Sequence, residues 1–272
     1  MKKAIQLLSL VLIVFIVIQC KTVPLTGRSQ FNVVGNDKIF PMSFEQYEQV
    51  KKEGEVITGT DQARMVKRVG TRIQKAVEQY FQQEGQSSYL ADYQWEYVLI
   101  KNDETVNAWC MPGGKVAFYT GIMPICKDEL GVAVVMGHEI AHAIANHGSE
   151  RISNQYAAQT GLSIASILLT GGAAPTISSE LILQGAGAAT SLGILAFSRK
   201  HESESDKLGL YFMAMAGYDP QEAPKFWERM AEQSGGEAPK EFMSTHPSHD
   251  TRISDLNANM PRALEYYRAS QN

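Results

Sequence analysis

The sequence predicts an α+β fold that is mainly helical and carries one small β-sheet. Three observations support that expectation. Apolar residues recur at helical spacing through TDQARMVKRVGTRIQKAVEQYFQQ (60–83), and the helical pattern returns from Lys127 onward. YQWEYVLIKN (93–102) has the aromatic and β-branched content of a strand. NAWCMPGGKVAFYTGIM (107–123) reads as two short strands about a Pro-Gly-Gly turn.

Each element has its own local warrant. Thr60 and Asp61 open the first long helix with a cap signal. Asp128 and Glu129 stand early in the helix after Lys127, where the helix dipole favours negative charge. The apolar stretch 161–197 is broken by TGGAAPTISSE and GAGAAT, which suggests a helical hairpin packed on the core. A membrane- or substrate-facing flap is the alternative, since no part is long enough to span a bilayer. AGYDPQEAP (216–224) is a turn that also caps a helix, and terminal helices follow. No internal repeat divides the chain, so residues 60–272 are expected to form one domain.

A chain of 272 residues with 44% hydrophobic and 20% charged residues can bury a sizeable core, which excludes a disordered protein. Net charge is -4 and no dense Lys/Arg cluster occurs, so no nucleic-acid partner is expected. The N-terminus, MKKAIQLLSLVLIVFIVIQC, places two lysines before an apolar run from Leu7 to Ile18. That run is shorter than the roughly 20 residues of a membrane span and suits a signal peptide over 1–19. Cys20 follows it directly and resembles the lipidated cysteine of a bacterial lipobox, although Val17 and Gln19 depart from the usual residues. An uncleaved anchor and ordinary secretion are the alternatives. Lipidation would tether the protein in the periplasm, with Lys21 favouring the outer membrane. KTVPLTGRSQFNVVGND (21–37) then reads as an extended tether within an N-terminal segment over 20–59. In an oxidising compartment Cys110 and Cys126 could form a disulfide or remain two buried thiols, and both readings stay open.

The chemistry concentrates in VVMGHEIAHAIANHG (134–148), which holds three of only 6 histidines. His138 and His142 are four residues apart, so a helix presents both imidazoles on one face to a single metal. Glu139 lies about 100° round the helix from His138, beside the metal's open position and suited to take a proton from water. His147 would point about 180° from His138 on a continuous helix, so it reads as a helix-end histidine. A better third ligand lies in AFSRKHESESDKLG (196–209): Glu202 completes a His-His-Glu set, and Asp206 one turn on can hold a ligand histidine's other nitrogen. Glu204, about 200° from Glu202, should point elsewhere.

GHEIAHAIANH, FSRKHESESDKLG and STHPSHDTRI, with NAWCMPGGKVAFYTG upstream, resemble the HtpX and CAAX prenyl endopeptidase family of zinc metallopeptidases. CKTVPLTGRSQF is similar to the start of its periplasmic lipoprotein members of the LoiP and BepA kind. The resemblance implies a gluzincin-like core in a compact, lipid-tethered form without a helical-repeat domain, with an edge strand bordering the active-site cleft. It implies one Zn2+ per chain held by His138, His142 and Glu202, with Glu139 as general base and Asp206 as orienting carboxylate. His246 matches a family histidine near the metal, either stabilising the oxyanion or filling the fourth metal position at rest, and Arg252 matches a bracing arginine. Asn107 and the strand from Gly114 through Lys115 and Val116 match the edge against which substrates lie extended. The activity implied is endopeptidase cleavage of misfolded or extended envelope polypeptides. A chaperone-like holder that uses the same groove without cutting is the alternative.

Overall fold

The computed structural model describes residues 20–156, 198–233, 246 and 251–271. The signal-peptide reading and the hairpin or flap over 161–197 lie outside them. The order of elements is a hairpin of β1 (Cys20–Thr22) and β2 (Ser29–Phe31), α1 (Asn36–Glu53), β3 (Val56–Ile57) and α2 (Asp61–Gln83). Then come β4 (Glu96–Ile100), β5 (Ala108–Met111), β6 (Lys115–Tyr119), a short α3 (Met123–Cys126) and α4 (Glu129–Ile144). After α4, residues 147–156 are again helical, and α5 (Arg199–Met215), α6 (Glu222–Gln233) and α7 (Arg252–Ser270) follow. The architecture is α+β and mainly helical, as the sequence predicts. No described helix is long and apolar enough to cross a membrane.

The long helices form for local reasons. The Thr60 side chain accepts from the Ala63 amide and so caps α2, which buries Val66, Val69, Ile73, Val77 and Phe81 on one face. The Asp128 carboxylate accepts from the Leu130 and Gly131 amides at the start of α4. From Gly131 to Ile144 every residue of α4 is buried, because α2, α5, α6 and β5 all pack around it. This helix is the axis of the core, and it carries the metal motif.

The sheet has the order β3-β4-β6-β5, with β4 and β6 parallel and the other pairs antiparallel. Gly113 and Gly114 turn β5 into β6 at φ of 87° and 91°, which L side chains rarely adopt. Among the described strands, the edge strand beside α4 is therefore β5. Lys115 and Val116, expected at the edge, sit on β6, whose backbone is paired on both sides.

The amino-terminal segment also departs from expectation. Val23, Val34, Ile39, Phe40 and Tyr47 are buried, and the Tyr47 hydroxyl donates to the Val116 carbonyl at 3.0 Å. The stretch 21–37, read as an extended tether, instead forms the β1–β2 hairpin, buries Val23 and Val34 and runs into the first residues of the 18-residue α1. The Pro, Gly and polar residues that suggested a tether make the hairpin turn, where Leu25 and Gly27 take positive φ. Cys110 and Cys126 are free and buried, and burial pushes both thiols up, which leaves them inert.

Candidate metal centre

The donor atoms converge as the spacing requires. On α4, His138 Nε2 and His142 Nε2 stand 3.1 Å apart. From α5, Glu202 brings Oε2 to 3.4 Å from the first and Oε1 to 3.3 Å from the second. His246 Nδ1 joins them at 3.3 Å from His138 Nε2 and 3.2 Å from Glu202 Oε1. All four side chains are buried. Ligands at the corners of a tetrahedron with zinc bonds of 2.0–2.1 Å lie about 3.3–3.4 Å apart. The contacts of 3.1–3.4 Å are close to that spacing, and all four donors lie within 4.8 Å of one another, so the residues fit the expected ion.

The charge distribution points the same way. Burial opposes charge on His138, yet hydrogen bonding with Asp206 and Glu202 holds its pKa up at about 9. Burial pushes Glu202 up, but the charge of His246 and hydrogen bonds from His138 and His142 outweigh it and hold the carboxyl well below the usual carboxylate range. Carboxylates this poorly solvated recruit positive charge, and a dication satisfies them where otherwise a proton must. Burial raises the Glu139 carboxyl, toward the value a general base needs near neutrality. Its Oε1 is buried, makes no hydrogen bond among the described residues, and lies 3.5 Å from His246 Nε2. Glu139 is thus beside the cluster without belonging to it.

Glu202 reaches α4 because two helices touch at glycine. A Cβ on Gly137 would stand 2.7 Å from the Gly209 carbonyl oxygen, and one on Gly209 would stand 2.7 Å from the His138 amide nitrogen. With backbone against backbone, α5 lays Glu202 and Asp206 alongside the two imidazoles. Asp206 Oδ1 is 2.9 Å from His138 Nδ1, where it can fix the ring's tautomer. The Arg252 guanidinium, from α7, donates to both Asp206 oxygens at 2.7 and 2.8 Å and to Glu202 Oε2 at 3.1 Å. It stacks 3.6 Å above the Trp227 ring.

His138, His142, Glu202, Glu139, Asp206, His246 and Arg252 are therefore assembled in one place. Three of the expected substrate residues, Gly114, Lys115 and Val116, are committed to other contacts. Lys115 Nζ turns to Glu96 at 3.1 Å, and the Val116 carbonyl is taken by Tyr47. Gly114 lies under the Trp95 ring, which a Cβ there would meet at 2.5 Å. Asn107, at the head of β5, is buried and accepts from the Ala108 amide. Reading the strand after the Gly-Gly turn as the edge assigned the wrong partner of a correctly predicted hairpin.

His147 also needs correcting. It is buried, and its Nδ1 lies 2.9 Å from His142 Nδ1. The expectation assumed a continuous helix, but α4 ends at Ile144 and Asn146 takes a φ of 52° before the chain turns helical again. That break swings His147 back against His142. Glu204 does point away from the donor cluster, but it meets His147 Nε2 at 2.8 Å. Trp227 was missed altogether, having no spacing signal. Gly137 and Gly209, each close in sequence to site residues, were the overlooked clue to a tight helix crossing.

The model of peptidase family M48 matches residues 68–260, from α2 through the donor cluster into α7. Three curated relatives give the range of similarity. The chain is 36% identical over 248 residues to mitochondrial metalloendopeptidase OMA1 of Schizosaccharomyces pombe, covering 89% of this chain and 66% of that protein. It is 36% identical over 191 residues to the Saccharomyces cerevisiae protein of the same name, covering 68% and 52%. It is 30% identical over 164 residues to the beta-barrel assembly-enhancing protease of Escherichia coli, covering 59% and 33%. The chain thus spans from about a third to two thirds of the length of these relatives.

These matches agree with the HtpX and CAAX resemblance at the level of the wider family, but they correct its finer parts. Mitochondrial OMA1 proteins from several organisms stand among the relatives, which points away from the periplasmic, outer-membrane lipoprotein expected from Cys20, even with the Escherichia coli protease present. That location rested on a lipobox from which Val17 and Gln19 already departed. The matched region contains every donor described above, and the chain belongs to peptidase family M48, a family of metallopeptidases.

Proposed function

We propose that this protein is a zinc-dependent endopeptidase that cuts misfolded or extended polypeptides in protein quality control. The observation that carries the reading is Glu139, whose buried Oε1 makes no hydrogen bond among the described residues, beside four donors that lie within 4.8 Å of one another. Zinc bound there would supply Lewis-acid polarisation of water and of the scissile carbonyl. Glu139 takes the proton from the attacking water and passes it to the leaving amine. Asp206 and Arg252 keep His138 oriented through that transfer. No serine or cysteine nucleophile is required.

Two features support a broad choice of substrate. The outer edge of β5 has no ladder partner among the described strands, and a backbone edge binds extended chains with little regard to side chain. His246 Nδ1 fills the corner that a reacting water needs, so the described geometry fits a resting form from which His246 must withdraw. Substrate entering along β5 would displace it.

The test is proteolysis of an unfolded protein by wild type and Glu139→Gln, with zinc content measured in both. The variant is expected to keep its zinc and lose about 10²–10⁴-fold in rate. Unchanged cleavage would sink the mechanism. A zinc-loaded wild type that binds the unfolded chain without cutting it would favour the holder.

A further inference from the structure

The second metal histidine is supported from an unexpected direction. His142 Nδ1 and His147 Nδ1 face each other at 2.9 Å, and His147 Nε2 faces Glu204 Oε2 at 2.8 Å. Two ring nitrogens can hydrogen-bond only if one carries a hydrogen and the other does not. If His142 Nε2 offers its lone pair to the ion, its hydrogen must sit on Nδ1, and it donates to His147. The hydrogen of His147 then sits on Nε2 and is donated to Glu204. Ser205 Oγ, 3.2 Å from His147 Nδ1, can add a second donor to the same lone pair. The order of hydrogens is set from Glu204 inward to the metal corner.

Glu204 is in turn held by the hairpin at the other end of the chain. Between β1 and β2, the Thr26 hydroxyl donates to Glu204 Oε1, and Arg28 Nε donates to Oε2 at 2.6 Å. The same guanidinium donates to both oxygens of Glu150, at 3.1 and 2.8 Å. Glu150 also meets His201 Nε2 at 3.1 Å, and the His201 ring stacks on that of His147 at 4.4 Å. Arg28 therefore bridges two carboxylates, Glu150 and Glu204, on this side of the site.

We propose that His147 and Glu204 are positioning residues for the metal ligand His142, and that the amino-terminal hairpin, through Arg28 and Thr26, holds them in place. This inference rests on the zinc reading. A ligand histidine whose outer hydrogen bond is lost typically gives up about 10–100-fold in metal affinity. The hairpin is then part of the metal centre, although it is distant in sequence from every donor.

The experiment measures zinc affinity of the full chain by competition with a chromophoric chelator, and the visible spectrum of the cobalt(II)-substituted protein. Variants are Arg28→Gln, Arg28→Lys, Thr26→Ala and His147→Phe, compared where their metal-free circular dichroism matches wild type. His147→Phe is expected to weaken zinc by about 10–100-fold and to shift the cobalt bands. Arg28→Gln should weaken zinc by about 10-fold, the low end of that range, Arg28→Lys should recover part of it, and Thr26→Ala should have the mildest effect. A merely structural cluster would lower folding stability and leave affinity and spectrum unmoved. Wild-type affinity in both His147→Phe and Arg28→Gln, with zinc binding lost in Glu202→Ala, overturns this inference alone. Wild type that holds no zinc overturns the zinc reading and this inference with it.

Discussion

The two histidines that α4 brings to the donor cluster are one helical turn apart, yet they are braced by opposite ends of the chain. His138 leans directly on the Asp206 carboxylate, which is clamped by Arg252 from α7. His142 leans on a neutral ring, His147, and only through it on Glu204 and Arg28. The first brace is short, ionic and deep: the Arg252 side chain is 4% exposed. The second has an extra link and opens outward, with Arg28 at 13%. A carboxylate bonded directly to an imidazole pushes more charge onto the ligand nitrogen than a second imidazole does. The pair therefore divides into a strong fixed donor and a softer one whose support can be altered at the surface.

The largest test removes the charge from each clamp while keeping its bulk. Arg252→Met leaves Asp206 and Glu202 buried without their cation, and breaking a buried pair of this kind costs about 3–5 kcal/mol. Arg28→Met should cost less, because water can reach Glu150 and Glu204. Denaturant unfolding of the metal-free protein reads both. Equal losses would erase the distinction between the two braces. Added zinc should restore more stability to wild type than to either variant.

Gly209→Ala acts on both braces at once. The new methyl meets the His138 amide, and backbone cannot move aside as a side chain can. A loss of about 1–3 kcal/mol is expected from forcing α4 and α5 apart, together with weaker zinc binding. If stability falls and zinc affinity does not, the crossing supports the fold without aligning Glu202.

Asp206→Asn sharpens the comparison from the other side. The amide keeps the shape and can still accept from His138, but it gives up the negative charge. Zinc affinity is expected to fall by about 10-fold, the low end of the usual range for such partners. His147→Phe, which removes a neutral link outright, should cost at least as much. The reverse order would mean that charge, and not orientation, governs the site.

Much of the direct chemistry was legible in the linear sequence because it repeats at helical spacing. His138 and His142, and Glu202 and Asp206, each sit four apart, and a helix converts that number into a shared face. The long helices and the β5–β6 hairpin were legible for the same reason: capping residues, period and turn glycines are local signals. What was not legible depends on a break or on distance. One residue in a left-handed conformation, Asn146, reverses the direction of His147; asparagine is a known helix stop, but its local signal does not say that the chain resumes a helix in a new direction. Arg28 and Glu204 are far apart in sequence, as are Arg252 and Trp227, and only the folded chain joins them. The hairpin looked like a tether because turn residues and linker residues have the same composition.

The smallest expected effect is on pH dependence, and it isolates the outward brace. Burial would raise the Glu150 carboxyl, but hydrogen bonds from His201 and Arg28 outweigh it and hold its pKa down at about 2. Its unfolded value lies near 4.3. A depressed carboxylate contributes stability that is fully present above the unfolded pKa and fades as pH falls toward the folded one. Glu204, the other carboxylate on Arg28, is likewise held at about 2, so both stay charged across most of that window. In the metal-free protein, the difference in denaturant midpoint between wild type and Glu150→Gln should be constant above about pH 5 and shrink steadily between about pH 4.3 and 2. Replacing Arg28 with Gln should raise the folded pKa of Glu150 and narrow the window from below. A difference that is flat across the whole range would show that Arg28 and His201 do not hold Glu150 as a charged partner. The hairpin would then lack the anchoring that the His142 brace requires.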